Sequence, residues 1–217
     1  MKKELDEREE VLRQISEIKN HLVDKETFFP YNYNACHVWS IIVVILTLGM
    51  LPSYQYGIVF GTVVMFILIA IGFIIEGSLT KKVNESYDID DCTKRQQYIL
   101  QNFLMISLFM IVMSTILAMQ GLYVLIFLMW LFLVSLGYFA LGFVLNIEKF
   151  TKMGQFNMLL SLILLVVGTS FNLLLGENSL FLALIQAVVI FGLAIMPTSI
   201  AWHQQKDEKL KKVSCSV

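Results

Sequence analysis

"QQYILQNFLMISLFMIVMSTILAMQGLYVLIFLMWLFLVSLGYFALGFVLNI", Gln96–Ile147, contains no Asp, Glu, Lys or Arg from end to end. A hydrocarbon core about 30 Å thick is crossed by roughly 20 residues of helix, so this run is too long for one crossing and too apolar for a soluble core helix. It reads as two spans that turn at Gln120–Gly121, where a polar residue and a helix breaker interrupt the apolar pattern.

The rest of the chain follows the same rule. Ala35–Ile75 is a second double-length charge-free run, and Met153–Gly176 and Asn178–Gln205 are single ones. Hydrophobic residues make up 57% of the chain and charged residues only 15%, which excludes an ordinary soluble domain. The expected fold is all-α and integral to a membrane, with six transmembrane helices at His37–Tyr54, Gly57–Ile75, Tyr98–Met119, Gly121–Val144, Phe156–Leu175 and Leu180–Trp202. They are expected as three hairpins, with tips at Leu51–Gly57, Ala118–Tyr123 and Leu174–Leu180. Pro52 with Gly57, Gln120–Gly121, and Gly176 with Asn178 supply the breakers at those tips.

All 16 Lys and Arg residues lie in the N-terminal segment, the loop at 77–97, the loop at 146–152, or the tail at 203–217. The tips carry none. The positive-inside rule therefore predicts that both termini and both charged loops are cytoplasmic. Residue usage suits a bacterial cytoplasmic membrane. The first span begins after a charged segment, unlike a cleaved signal peptide. Cys36, Cys92 and Cys215 fall on the expected cytoplasmic side, where thiols stay reduced, and their spacing matches no metal or redox motif.

Before the first span, residues 1–27 read as a cytoplasmic amphipathic helix and residues 28–36 as an interfacial linker. Val11, Ile15, Ile18 and Leu22 repeat at helical spacing and form one apolar stripe. Residues 1–26 hold six Lys/Arg against eight Asp/Glu, a net charge of −2, whereas helices that bind anionic lipid carry a basic polar face. The stripe therefore points to a protein partner or to self-association through residues 3–25 rather than to a lipid surface. In the linker and the start of the first span, Phe28, Phe29, Tyr31, Tyr33 and Trp39 read as an aromatic belt at headgroup level.

Chemistry-bearing residues are sparse. Glu76 ends the second span about 28 Å from Gly57, which puts it at the inner edge of the hydrocarbon. It reads as a boundary residue, with a buried proton or cation site as the alternative. Asn172 and Gln186 are primary amides within apolar runs, and each needs a partner there, either on a neighbouring helix or in a polar pathway. His37 opens the first span and His203 closes the sixth. Facing histidines can ligate haem or a metal, but with no C-x-x-C-H or H-E-x-x-H pattern they read as polar span ends. Gly57/Gly61 and Ala183/Ala187 have the spacing of small-residue packing motifs. Pro197 predicts a kink late in the sixth span.

No phosphate-binding loop, dinucleotide fingerprint or nucleophile elbow occurs, no cofactor is implied, and the short mixed-charge tail "KDEKLKKVSCSV" does not suit nucleic acid. The expectation is a non-enzymatic polytopic protein in the lipid bilayer, acting as an accessory, scaffold or sensory subunit. The alternative is a small oligomeric transporter or channel for an uncharged or weakly charged solute.

Overall fold

A computed structural model describes residues 10–15, 32–86, 94–174 and 179–214. Among these residues there are helices and turns and no strands. The helices are α1 (Asn34–Tyr56), α2 (Ile58–Ser86), α3 (Lys94–Met119), α4 (Tyr123–Val144), α5 (Glu148–Ser170), α6 (Ser179–Ile190) and α7 (Met196–Ser214). A π-helical turn, Phe191–Ile195, joins α6 to α7 without a break. Six stretches are long and apolar enough to cross a bilayer, the sixth being Leu180–Lys206. The chain is a multi-pass integral membrane protein.

We name the two ends of the bundle by their residues. The basic end carries Lys81, Lys82, Lys149 and Lys152, and the tip end carries the α1–α2 and α3–α4 turns.

The helices outrun the expected spans. α2 continues past Gly77 to Ser86, and α3 already begins at Lys94, so most of the loop placed at 77–97 is helix. Two amides account for this extension. Asn84 Nδ2 donates to Gln96 Oε1 at 3.0 Å, and Gln96 Nε2 donates back to Asn84 Oδ1 at 2.7 Å. Both residues are buried, and the reciprocal pair pins the end of α2 to the start of α3. Likewise α5 starts at Glu148, well before Phe156. Its charged first turns present an i,i+4 pair, Lys152 Nζ to Glu148 Oε1, at 2.7 Å.

Three helices end in one way. Gly121, Asn146 and Asn172 have φ of 71°, 55° and 53°, the left-handed region. In each case the next residue's N–H bonds a carbonyl five positions back: Leu122 to Leu117, Ile147 to Gly142 and Leu173 to Gly168. This double-bonded C-terminal turn needs a residue that tolerates positive φ, and glycine and asparagine do so best.

Packing does not follow the three expected hairpins evenly. α1 lies closely along α2, but α4 pairs most closely with α5, across the basic-end turn Leu145–Ile147, and α6 packs on α4 and α1 rather than along α5. Glycine explains the α4–α5 pairing. A Cβ on Gly142 would lie 2.5 Å from the Thr151 backbone nitrogen, and one on Gly154 would lie 2.6 Å from the Ser135 carbonyl oxygen. The two backbones touch there, which is how helices gain contact in lipid, where apolar burial alone gives no drive to associate.

The central helix is α4, which buries 56% of its span. The tip half and middle of the bundle are filled by one apolar cluster around Met50, Tyr54, Met65, Phe127, Leu131, Ile185 and Val189. A smaller cluster at the basic end joins Tyr33, Cys36, Ile99, Tyr138, Leu141, Phe150 and Met153.

Candidate functional site

Glu76 and Trp39 stand at one depth because α1 and α2 are antiparallel. Counting from the tip, Trp39 is 17 residues before Tyr56 and Glu76 is 18 after Ile58, about 26 Å in each case. Gly72, one turn before Glu76 on the same face of α2, lets the helices close. A Cβ there would sit 2.7 Å from Ile42 Cδ1 and 2.9 Å from Trp39 Cη2. With the helices that close, Trp39 Nε1 donates to Glu76 Oε2 at 2.7 Å, and the indole packs edge-on against Phe73 at 5.0 Å. The Trp39 N–H is therefore spent on a neighbouring helix rather than on a headgroup. Tyr33 is also turned inward and is 8% exposed. Each ring finds an apolar neighbour inside the bundle.

This pair opens onto a cavity of about 60 Å³. One face of α1 lines it (Cys36, Trp39, Ile42, Val43, Leu46), together with Ile69, Phe73 and Glu76 of α2. The opposite wall is Ile99, Phe103, Ile106, Ser107 and Met110 of α3 with Trp130, Val134, Tyr138 and Leu141 of α4. Leu193, in the π turn, completes it. The lining therefore runs from the basic end to mid-membrane, where Leu46, Met110 and Trp130 lie, and the packed cluster of the tip half lies beyond it. Its polar groups are few: Glu76 and Tyr138 toward the basic end, Cys36 beside them, and Ser107 deeper. The Tyr138 ring is held by stacking on Phe150 at 5.7 Å and by an edge contact with Phe103 at 5.9 Å. Among the described residues, no Lys, Arg or His lies within 4 Å of the Glu76 carboxylate.

The wall at Leu193 rests on an unusual backbone. Met196 N–H bonds Phe191 O, five residues back, and in that register the next carbonyl, Gly192 O, would take the N–H of residue 197. Pro197 has none. Asn157 of α5 fills the gap, its Nδ2 donating to Gly192 O at 3.0 Å, and Gly192 is the residue small enough to admit it: a Cβ would lie 2.9 Å from Asn157 Oδ1. Ser40 of α1 supports the same turn, its one hydroxyl proton shared between Cys36 O at 2.6 Å and Ala194 O at 2.8 Å, with Thr198 Oγ1 in contact. A π turn held by side chains in this way is a recurrent feature of functional helices. Asn157 Oδ1 itself is buried with no hydrogen-bond partner among the described residues.

No family model, no curated protein and no solved structure matches the chain.

The sequence-predicted residues divide sharply. Glu76 lies on the cavity. Gln186 does not: its Nε2 donates to Thr47 O at 3.0 Å and ties α6 to α1. Asn172 is exposed, serves as the left-handed cap of α5 and does not line this cavity. Of the N-terminal stripe, Val11 and Ile15 are helical and exposed, as is Leu12; Ile18 and Leu22 lie outside the described residues. His203 Nδ1 contacts Ser199 O in its own helix at 2.8 Å and its ring meets Trp202 edge-on, while His37 is half-buried on α1. No group of three His, Cys, Asp or Glu residues able to hold a metal forms among the described residues. The small pair Ala183/Ala187 faces outward, and Gly61 packs against the Tyr54 ring.

Trp39, Ser40 and Asn157 are the residues whose roles sequence reading missed. For Trp39 the signal was present, since matched depth from a shared tip pairs it with Glu76. For Asn157 it was the proline on a later span, whose orphaned carbonyl needs a donor.

Proposed function

We propose that this chain is a non-enzymatic multi-pass membrane protein that holds a small ligand in the Glu76 cavity and acts as a sensory or accessory subunit. In this reading both termini, and the mouth of the cavity beside Glu76, face the cytoplasm, and the N-terminal segment, residues 3–25, meets a protein partner. The observation that carries it is the dead end. The cavity lining reaches no further toward the tip than Leu46, Met110 and Trp130, and beyond these Met50, Tyr54, Met65 and Phe127 are packed, each at most 4% exposed. A pocket closed on one side suits holding a ligand, whereas conduction needs a continuous path with sites weak enough to leave. The exposure of Val11, Leu12 and Ile15 supports the partner contact.

The test combines flux and companionship. Purified protein in sealed liposomes is expected to pass no more cation or small solute than empty liposomes do. In mild detergent the intact chain is expected to carry a companion protein that is lost when residues 1–26 are removed. Steady solute flux abolished by Glu76→Gln, with no companion in either preparation, would overturn the reading. It would instead support a small oligomeric transporter or channel. One observation favours that second reading: Leu193 of the cavity wall sits on the π turn before Pro197, a place where a helix can pivot.

A further inference from the structure

We propose that the cavity binds a single-chain amphiphile with a positively charged amine head, an alkylammonium, its head on the Glu76 carboxylate and its chain directed toward Met110. This rests on the reading of the cavity as a holding pocket and names what it holds.

Three observations select that chemistry. The first is charge. Glu76 is half-buried, one of its oxygens is fixed by the Trp39 indole N–H, and among the described residues no cation neutralises it. A carboxylate set in an apolar wall gains most from a ligand that brings the opposite charge, and it repels an anion. The second is the donor set. A metal ion of the calcium or magnesium type takes about six oxygens, whereas the cavity offers one carboxylate and otherwise a phenol, a hydroxyl and a thiol, so the cation it suits is organic. The aromatic rings of Phe73, Phe103 and Tyr138 line the same end, and a ring face presented there favours an ammonium over a hydrated ion. The third is shape. The lining extends along α1 from Cys36 to Leu46, about 15 Å of helix, between facing walls of apolar side chains, the proportions of a narrow tube for one extended chain. Beyond Glu76 and Tyr138 its walls are Ile42, Leu46, Ile69 and Met110, with only the Ser107 hydroxyl to interrupt them. A two-chain lipid does not fit such a tube.

The experiment uses full-length protein in nanodiscs of phosphatidylcholine, with decylammonium, decanoate and butylammonium added from water. Binding is followed by tryptophan emission and by the shift in unfolding midpoint, with empty discs as the partition control. Decylammonium is expected to bind saturably, and decanoate about tenfold or more weaker. Glu76→Gln keeps an oxygen for the Trp39 N–H, so its ligand-free midpoint is expected to be unchanged while decylammonium weakens by about tenfold. Ser107→Phe fills the deep end and is expected to weaken decylammonium but not butylammonium, a result that does not depend on the Glu76 variant. Native mass measurement of the purified protein distinguishes a chain carried from the membrane from one taken up from water.

Equal binding of decanoate and decylammonium, or decylammonium binding unaltered by Glu76→Gln, would overturn the amine assignment while leaving a holding pocket. If neither amphiphile binds above the empty-disc control, the pocket reading itself fails along with it.

Discussion

Two regions of this bundle treat polar groups in opposite ways. Around the π turn and through the α3–α6 core, side-chain donors are spent on neighbouring helices: Asn157 on Gly192 O, Ser40 on Ala194 O, Ser161 on Leu128 O, Gln186 on Thr47 O, and Trp130 Nε1 on Ser114 Oγ. In the cavity, the Glu76 carboxylate takes one hydrogen bond, from Trp39 Nε1, and turns toward the same space that Tyr138 and Ser107 line. In lipid no water competes for a donor, so a paired polar group holds helices together, while one left facing a cavity is available to a ligand. Polarity in a span therefore says little about function until its partner is known.

Five substitutions test that contrast, from the largest expected effect on stability to the smallest. Gly154→Val places atoms against the backbone of Ser135 and Phe139, which cannot swing aside, and is expected to destabilise the fold by about 3 kcal/mol or more. Unfolding midpoints in detergent would check this, and a midpoint equal to the parent's would mean that α4 and α5 do not touch as described. Asn157→Leu leaves Gly192 O without its donor in an apolar interior and is expected to cost about 1–3 kcal/mol. Pro197→Ala restores a backbone N–H at the turn, so the double variant should lose less than the two single losses added together. Strict additivity would break the link between the proline and the asparagine. Gln186→Leu removes one interhelical hydrogen bond and is expected to cost about 0.6 kcal/mol, with no change in any ligand or flux measurement. Glu76→Gln is expected to leave stability within about 0.5 kcal/mol of the parent and to change ligand binding alone. A large loss of stability there would place Glu76 with the structural polar groups.

The spans were legible because charge-free runs have a length set by the bilayer, and Gln96–Ile147 could cross only twice. Helix ends were less legible. Asn172 looked like an amide stranded in lipid, but it tolerates positive φ and closes α5, a role that depends on the backbone turn around it. The loop expected at 77–97 is mostly helix because Asn84 and Gln96 find each other across it, a pairing that neither sequence segment announces alone. Helix pairing was hidden for a related reason. Gly142 and Gly154 are spaced like no motif within one helix; they matter because each faces the other helix's backbone. The regularly spaced Ala183 and Ala187 point outward. Glu76 was visible as the lone acid near a span's end, yet its orientation came from Trp39, which read as a belt residue because its linker is rich in aromatics.

The most direct test of the contrast is sided labelling at the deep end of the cavity. Ser107→Cys, with Cys36 replaced by Ala and Cys92 and Cys215 by Ser, would be reconstituted in sealed vesicles and exposed to a small, permanently charged thiol reagent on one side at a time. Modification from the side that carries Lys81 and Lys82, slowed by decylammonium and absent from the tip side, is the expected result. Modification from both sides would contradict a closed holding pocket and establish a continuous path through the membrane.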